Sequence, residues 1–126
     1  MTVRGIGTDL VAVARIAAAL ERFPGRFADR VLAAEERALW QARGRSPAWL
    51  ARRFAGKEAL SKALGTGIGA DVRFHDLLIL ADDRGAPVVH LQGGAETRAR
   101  ALQAERVHLT LSDERDYALA FAVLEG

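Results

Sequence analysis

The chain has 126 residues, half of them hydrophobic, which suffices for one folded domain with its own core. It contains no cysteine, so disulfides, thiolate catalysis and cysteine-rich zinc sites are excluded. The net charge is only +2, but residues 1–62 carry 12 Lys and Arg against 6 Asp and Glu, whereas residues 63–126 carry 6 against 10. This asymmetry favours an anionic partner for the first half, such as phosphate, nucleic acid or an acidic protein, although solvated helix faces also explain part of it.

The beginning of the sequence has no charged leader followed by a long apolar run, and no apolar stretch reaches membrane-spanning length. We therefore expect a cytoplasmic protein without a membrane partner. No repeat, linker or low-complexity segment interrupts the chain, so residues 1–126 are predicted to form a single domain.

The first half of the chain predicts one short strand followed by helices. A strand over residues 3–8 leads into a helical pattern that opens at Thr8 or Asp9 and ends at Pro24. Further helices are expected over residues 27–32, 34–42 and 49–64, the last of which stops at Gly65.

The second half predicts mostly strands. Residues 77–80 and 88–91 form a hairpin pattern, and a glycine pair at 93–94 separates it from a helix expected over residues 96–104. Two alternating strands, residues 107–111 and 119–123, end the chain. Together these elements predict an α+β fold with a mostly antiparallel sheet packed with helices.

The first segment that carries chemistry is Gly5-Ile-Gly-Thr-Asp9, two glycines in a strand followed by a carboxylate. Glycine inside a strand often marks the close approach of a ligand or of another backbone. Taken alone, Asp9 is more typical of a helix cap than of a metal ligand.

The second segment runs from Arg53 to Gly69. Glu58, Lys62 and Gly65 lie at i, i+4 and i+7 and therefore share one helical face. A carboxylate there can hold Mg²⁺ while the lysine contacts phosphate oxygens, but the same spacing more often means an exposed salt bridge. The glycines that follow are either a helix stop or a loop whose backbone amides approach phosphate.

These two segments resemble the signature segments of the acyl-carrier-protein synthase family of 4′-phosphopantetheinyl transferases. The matching residues are Gly5-Ile-Gly-Thr-Asp9-Leu-Val and Arg53-Phe-Ala-x-Lys-Glu58-Ala-x-x-Lys62-Ala-x-Gly-Thr-Gly-Ile-Gly69. Arg30-Val-Leu-x-x-x-Glu36 and Asp83-x-Gly-x-Pro87 are similar as well. The resemblance covers nearly the whole chain in order.

The resemblance implies transfer of 4′-phosphopantetheine from coenzyme A to a serine of apo-acyl carrier protein for fatty acid synthesis. It also implies a Mg²⁺ cofactor and a homotrimer whose active sites lie between neighbouring protomers. The implied metal ligands are Asp9 and Glu58, and the implied catalytic residues are Glu58 and Lys62, to which we add Asp113 as a predicted catalytic residue for the separate reason given below. Coenzyme A is expected at Arg45, Pro47, Arg53, Lys62, Gly65, Thr66 and Gly67, and the acidic carrier at Arg15, Arg22 and Arg26.

Asp113 departs from the family pattern, in which Ser/Thr-His commonly ends the penultimate strand. Aspartate at pH 7 only accepts hydrogen bonds and would repel pyrophosphate unless a cation or donor intervenes. It either joins the metal shell or a water network, or it caps the tight turn. We favour the active-site role, because the resemblance places this strand end beside the metal site.

Two alternatives stay open from the sequence. The basic first half also fits a small nucleic-acid-binding domain, although few aromatic residues interleave with its arginines, and we expect no nucleic-acid partner. A transferase of the same fold could instead act on a polyketide or peptidyl carrier domain. The three histidines, His75, His90 and His108, lack metal-ligand spacing, and we expect structural roles for them and packing roles for both tryptophans.

Overall fold

Five helices and five strands build the protein, for which a computed structural model describes all of residues 1–126. Strand β1 (Val3–Ala12) is followed by helices α1 (Val13–Arg22), α2 (Arg26–Val31), α3 (Ala34–Ala42) and α4 (Pro47–Ala63). Strands β2 (Leu77–Ala81) and β3 (Pro87–Leu91), helix α5 (Gly93–Ala101), and strands β4 (Arg106–Asp113) and β5 (Tyr117–Glu125) complete the chain. No helix is both long enough and apolar enough to cross a membrane.

The strands form two antiparallel sheets, which confirms the α+β prediction. One sheet has the order β1, β5, β4, so the last strand lies between the first strand and β4, and β2 pairs with β3 in a separate hairpin. Side chains alternate along β5: Ala118, Ala120 and Ala122 are buried, whereas Leu119 and Phe121 on the opposite face are exposed. The three-stranded sheet therefore has a covered inner face and an uncovered outer face.

Helix α4 covers the inner face of this sheet and packs against β1, β5, β4 and β2. Two residues start this helix: the Ser46 hydroxyl accepts a hydrogen bond from the Trp49 amide, and Pro47 occupies the first turn. The helix begins two residues earlier than the sequence pattern predicts. Gly65, with φ of +77°, follows its C-cap Leu64 and turns the chain away.

The two glycines of β1 allow this helix to lie directly against the strand. A Cβ on Gly5 would meet the Ala63 carbonyl, and one on Gly7 would meet the Ala59 carbonyl. Of the two explanations that strand glycines permit, the close approach of another backbone is the one observed here.

Two predicted boundaries are wrong. Strand β1 continues through Asp9 to Ala12, because this stretch stays paired with the strand residues up to Tyr117, so Asp9 lies within a strand and is not a helix cap. Helix α5 (Gly93–Ala101) begins and ends three residues earlier than predicted: the glycine pair is part of the helix, because Gly94 packs against the Asp71 carbonyl where a larger residue would clash, and does not act as a break.

A buried ion pair fixes α4 in the core. The Lys57 ammonium donates to Glu36 Oε1 at 2.7 Å, to the Val31 carbonyl at 2.6 Å and to the Phe74 carbonyl at 2.9 Å, so all three of its protons are used. Glu36 in turn accepts from the amides of Ala33 and Ile79. Burial lowers the pKa of Lys57, and the adjacent Glu36 carboxylate opposes that change. The residue just before Glu58 is therefore anchored to three other segments.

Candidate active site

Strand β1 and helix α4 bring Asp9 and Lys62 together. Asp9 faces the helix because it alternates with the buried residues Gly7 and Val11 of the strand. Lys62 Nζ lies 3.1 Å from Asp9 Oδ1 and donates to the Thr8 carbonyl at 3.0 Å. The exposed salt bridge that spacing alone predicts between Glu58 and Lys62 is thus replaced by a pair between helix and strand.

Glu58 lies beside this pair and is electrostatically perturbed. Burial raises the pKa of the Glu58 carboxyl, and the nearby Asp9 charge raises it further, whereas Lys62 and Arg15 act in the opposite direction. Two carboxylates that repel each other in a half-buried site favour a bound cation. Mg²⁺ prefers oxygen ligands and typically uses one or two carboxylates together with substrate phosphates, so this donor set fits it. No third carboxylate or histidine joins them to form a closed metal cluster.

The loop after α4 is held by its own backbone. The Thr66 and Gly67 amides both donate to the Ser61 carbonyl at 3.1 Å, and the Gly65 amide donates to the Lys62 carbonyl at 2.9 Å. These three amides therefore close the helix end and are not directed at a ligand. The Thr66 hydroxyl also donates to the Gly67 carbonyl at 2.9 Å, so contact of this segment with coenzyme A stays a prediction.

The other predicted coenzyme A residues occupy two different environments. Arg45 and Pro47 are exposed at the start of α4. Arg53 is buried, donates from Nε to the Ile79 carbonyl at 3.1 Å and stacks over the Trp49 ring at 4.2 Å. Burial lowers its pKa to about 10. The structure does not bring Arg53 into the Asp9 and Glu58 cluster, so its contact with coenzyme A stays a prediction.

Asp113 has a partner that the sequence analysis did not consider. It ends β4 on the same face of the sheet as Asp9, and its Oδ2 lies 3.2 Å from Nη1 of Arg52 on α4. Arg52 is a cation of the kind that an aspartate beside pyrophosphate would require. The catalytic role of Asp113 stays a prediction, and the Arg52 pair now provides a structural alternative to the turn cap.

Two of the three predicted carrier arginines border a groove of about 350 Å³ between α1, α2 and α4. These two arginines are Arg15 and Arg26. The groove is also lined by a third arginine, Arg30, and by the aromatic rings of Phe23, Phe27 and Phe54. Arg22 lies outside the groove and stacks on Phe23 at 5.3 Å. Sequence reasoning missed Arg30 and Phe54, although the i, i+4 spacing of Arg26 and Arg30 on one helix was a usable signal.

The histidines lie apart from the Asp9, Glu58 and Lys62 cluster. His75 bonds the Asp29 carbonyl at 2.6 Å, and His108 lies 3.1 Å from Glu125. Trp49 and Trp40 are buried, as expected for packing residues.

Comparison with known proteins agrees with this geometry. Residues 5–122 match the family model of the 4′-phosphopantetheinyl transferase superfamily. A holo-[acyl-carrier-protein] synthase from Halorhodospira halophila is 51% identical over 122 residues, which are 97% of each protein. The crystal structure of holo-[acyl-carrier-protein] synthase from Neisseria meningitidis has a TM-score of 0.92 at 38% identity and covers 99% of this chain and 100% of that chain.

A second solved relative is described with a ligand. The Helicobacter pylori holo-[acyl-carrier-protein] synthase, in complex with coenzyme A, has a TM-score of 0.85 at 31% identity and covers 95% of this chain and 99% of that chain. The chain therefore belongs to the 4′-phosphopantetheinyl transferase superfamily, within its family of holo-[acyl-carrier-protein] synthases. This confirms the family resemblance of the two sequence segments and favours a transferase over a nucleic-acid-binding domain.

Proposed function

We propose that this protein transfers 4′-phosphopantetheine from coenzyme A to the serine hydroxyl of apo-acyl carrier protein and releases 3′,5′-ADP. The observation that carries the proposal is the meeting of Asp9, Glu58 and Lys62 in a chain of this family. The holo-protein product would serve fatty acid synthesis, and a cytoplasmic location fits that role.

Each of the three side chains has a chemical task in this reaction. The serine oxygen attacks the β-phosphorus of coenzyme A, and the bond from that phosphorus to the bridging oxygen of 3′,5′-ADP breaks. Lys62, whose side chain is 51% exposed, can turn towards the phosphate oxygens and stabilise their growing charge. Glu58 is our candidate acceptor of the serine proton, because it lies beside Asp9 and Lys62 and the raised pKa of its carboxyl in the metal-free protein makes it a stronger base.

Asp9 and Glu58 are the residues that would hold Mg²⁺. When bound there, Mg²⁺ would neutralise charge on the pyrophosphate and its leaving group. The two carboxylates come from different elements, so their separation depends on the contact between β1 and α4. Lys62 would then exchange its Asp9 contact for substrate phosphate.

The groove beside α1 fits an acidic carrier protein. Three arginines around aromatic rings suit an acidic amphipathic helix that inserts one apolar side chain. The groove adjoins the catalytic residues, since Arg15 lines it and also acts on the Glu58 carboxyl. A carrier bound here would present its serine near Glu58.

A homotrimer is the assembly that we propose for the active enzyme. The outer face of the three-stranded sheet exposes Ile6, Leu10, Leu119 and Phe121, and no helix of the chain packs on it. An apolar face of this kind marks an interaction surface, and two further copies of the chain would cover it. Light scattering that finds a fully active monomer at nanomolar concentration would contradict this assembly.

The decisive test is incubation with apo-acyl carrier protein, coenzyme A and Mg²⁺, followed by intact-protein mass spectrometry. We expect a phosphopantetheine mass gain on the carrier and none when EDTA replaces Mg²⁺. Absence of the gain in the complete mixture would refute the transferase assignment. A peptidyl carrier domain assayed in parallel measures carrier preference, and faster modification of that domain would favour the alternative substrate.

A further inference from the structure

Arg98 of helix α5 reaches the far end of helix α4. Its Nε donates to the Leu64 carbonyl at 2.8 Å in a partly buried hydrogen bond between residues 34 positions apart. Leu64 is the C-cap of α4, and the carbonyls of the last helical turn otherwise need donors from outside the helix. Neither sequence segment that identifies the family contains Arg98.

The guanidinium of Arg98 also lies against the loop that follows α4. Its Nη2 is 3.4 Å from the point where Gly65 would carry a Cβ. Gly65 and Gly67 have φ of +77° and +66°, so the loop depends on two left-handed residues. Arg98 therefore touches the first of these residues and the carbonyl just before it.

The charge of Arg98 matters because the loop lies at the C-terminal end of helix α4. The C-terminal end of a helix carries partial negative charge, which repels phosphate groups. Lys62 in the last turn of α4 and Arg98 from α5 together place two cations at this end. Arg98 also lines an open groove of about 660 Å³ along with Gly65, Thr66 and Thr97.

We propose that Arg98 is a positioning residue that holds the Gly65–Gly67 loop in the conformation that accepts the nucleotide part of coenzyme A. This inference rests on the proposed function and on the expectation from the family resemblance that Gly65, Thr66 and Gly67 contact coenzyme A. Without the guanidinium, the Leu64 carbonyl loses its donor and the loop is freed from α5. Binding of coenzyme A then weakens, whereas the carrier groove, built by α1, α2 and α4, is unaffected.

The test compares three variants of the full-length protein. Arg98→Leu removes the donor and the charge, and Arg98→Lys restores the charge with a single point of contact. Arg100→Leu is the matched control, because Arg100 lies on the same helix, is exposed and pairs only with Glu96 at 2.6 Å. Hydrogen exchange of the Thr66 and Gly67 amides, KM for each substrate, kcat and melting temperature are measured for all.

For Arg98→Leu we expect about tenfold faster exchange at Thr66 and Gly67 and about a tenfold higher KM for coenzyme A. Both factors correspond to the loss of one hydrogen bond donated by a charged group. The KM for carrier protein and kcat should stay within about twofold of wild type. Arg98→Lys should show smaller increases in the exchange rate and in the KM for coenzyme A, and Arg100→Leu should match wild type.

Two results would overturn the inference. One is wild-type loop exchange and wild-type KM for coenzyme A in Arg98→Leu. The other is an equal rise in both KM values, which would trace the effect to the whole fold. If Arg98→Leu does not fold, the same comparisons are decided on Arg98→Lys. If the wild type itself transfers nothing, the proposed function fails, and hydrogen exchange still decides whether Arg98 holds the loop.

Discussion

Replacing Gly7 with alanine tests whether the closeness of β1 and α4 builds the active site. A Cβ at Gly7 would lie 2.7 Å from the Ala63 amide nitrogen and closer still to the Ala59 carbonyl oxygen, whereas ordinary contact begins at 3.4 Å. Both neighbours are backbone atoms of a buried helix, so neither can rotate away. The strand must therefore move off the helix by more than the roughly 0.7 Å that separates 2.7 Å from 3.4 Å, because the Ala59 oxygen is closer still. Asp9 is two residues further along the same face and would move with it.

This displacement should affect both stability and activity. Overpacking of this kind costs about 1 to 3 kcal/mol or more, and in a domain of this size each kcal/mol lowers the melting temperature by about 4 °C. A catalytic group misplaced by nearly 1 Å costs about a hundredfold in rate. Thermal unfolding and the carrier transfer assay measure the two effects. Gly69→Ala is the control for unfolding only, since nothing lies within 4 Å of its added Cβ. A Gly7→Ala variant with wild-type melting and wild-type turnover would refute the reasoning.

Three further outcomes follow from the site. In EDTA, where no metal ion is bound, Glu58→Gln should raise the melting temperature at pH 7, because burial and Asp9 destabilise the ionised carboxyl, and with Mg²⁺ restored it should abolish transfer. The pKa of Glu58 is raised in the folded protein, so its stabilising contribution is present below its ordinary value of 4.5 and is lost as pH rises through the raised pKa. The gain in the variant should accordingly disappear in acid, and a gain that persists there would contradict this explanation. Arg22→Glu should raise the KM for carrier protein much more than that for coenzyme A in steady-state kinetics, and equal effects would argue against docking at α1. Asp113→Ala should lower kcat more than tenfold, about 1.4 kcal/mol of barrier, with little loss of melting temperature, since its half-exposed pair with Arg52 is worth less than about 1 kcal/mol. Normal kcat with reduced melting temperature would make that pair structural.

The elements that the sequence predicts well are those whose pattern is local. Helix α4 shows a long apolar pattern with a serine and proline at its start and a glycine after its end. Strand β5 alternates buried and exposed residues along most of its length, and β4 alternates half-buried and exposed ones. In the strands the period of the side chains reports which face is covered, whereas α4 is buried on nearly every side and is recognised by its length and by the glycine after it.

The position of Asp9 shows what a local pattern misses. A carboxylate between a strand pattern and a helix pattern resembles a helix cap, but pairing with β5 keeps the strand extended for three more residues. The partner of Asp9 in that sheet is Ala120, which is distant along the chain. Long-range pairing therefore overrides the local preference, and a single sequence contains no measure of it.

The same limit applies to the charged pairs around the site. Lys62 with Asp9, Arg52 with Asp113 and Arg98 with the Leu64 carbonyl all join residues that are far apart in the chain. Spacing along α4 correctly identifies Glu58 and Lys62 as neighbours on one helical face. It also predicts a salt bridge between them, whereas Lys62 pairs with Asp9 of the strand. The family resemblance corrected the expected role of these residues, because it carries information about contacts that spacing does not.

The density of functional residues on α4 has a geometric cause. Successive residues of a helix point in directions about 100° apart, so adjacent positions serve different neighbours. Lys57 points into the core and anchors the helix through Glu36, whereas Glu58 points towards Asp9. One turn later, the Ser61 carbonyl receives the loop amides and Lys62 reaches the strand. A shift or rotation of this helix would therefore disturb the core, the carboxylate pair and the loop together, which explains why the longest segment that resembles the family pattern lies on α4 and the loop after it.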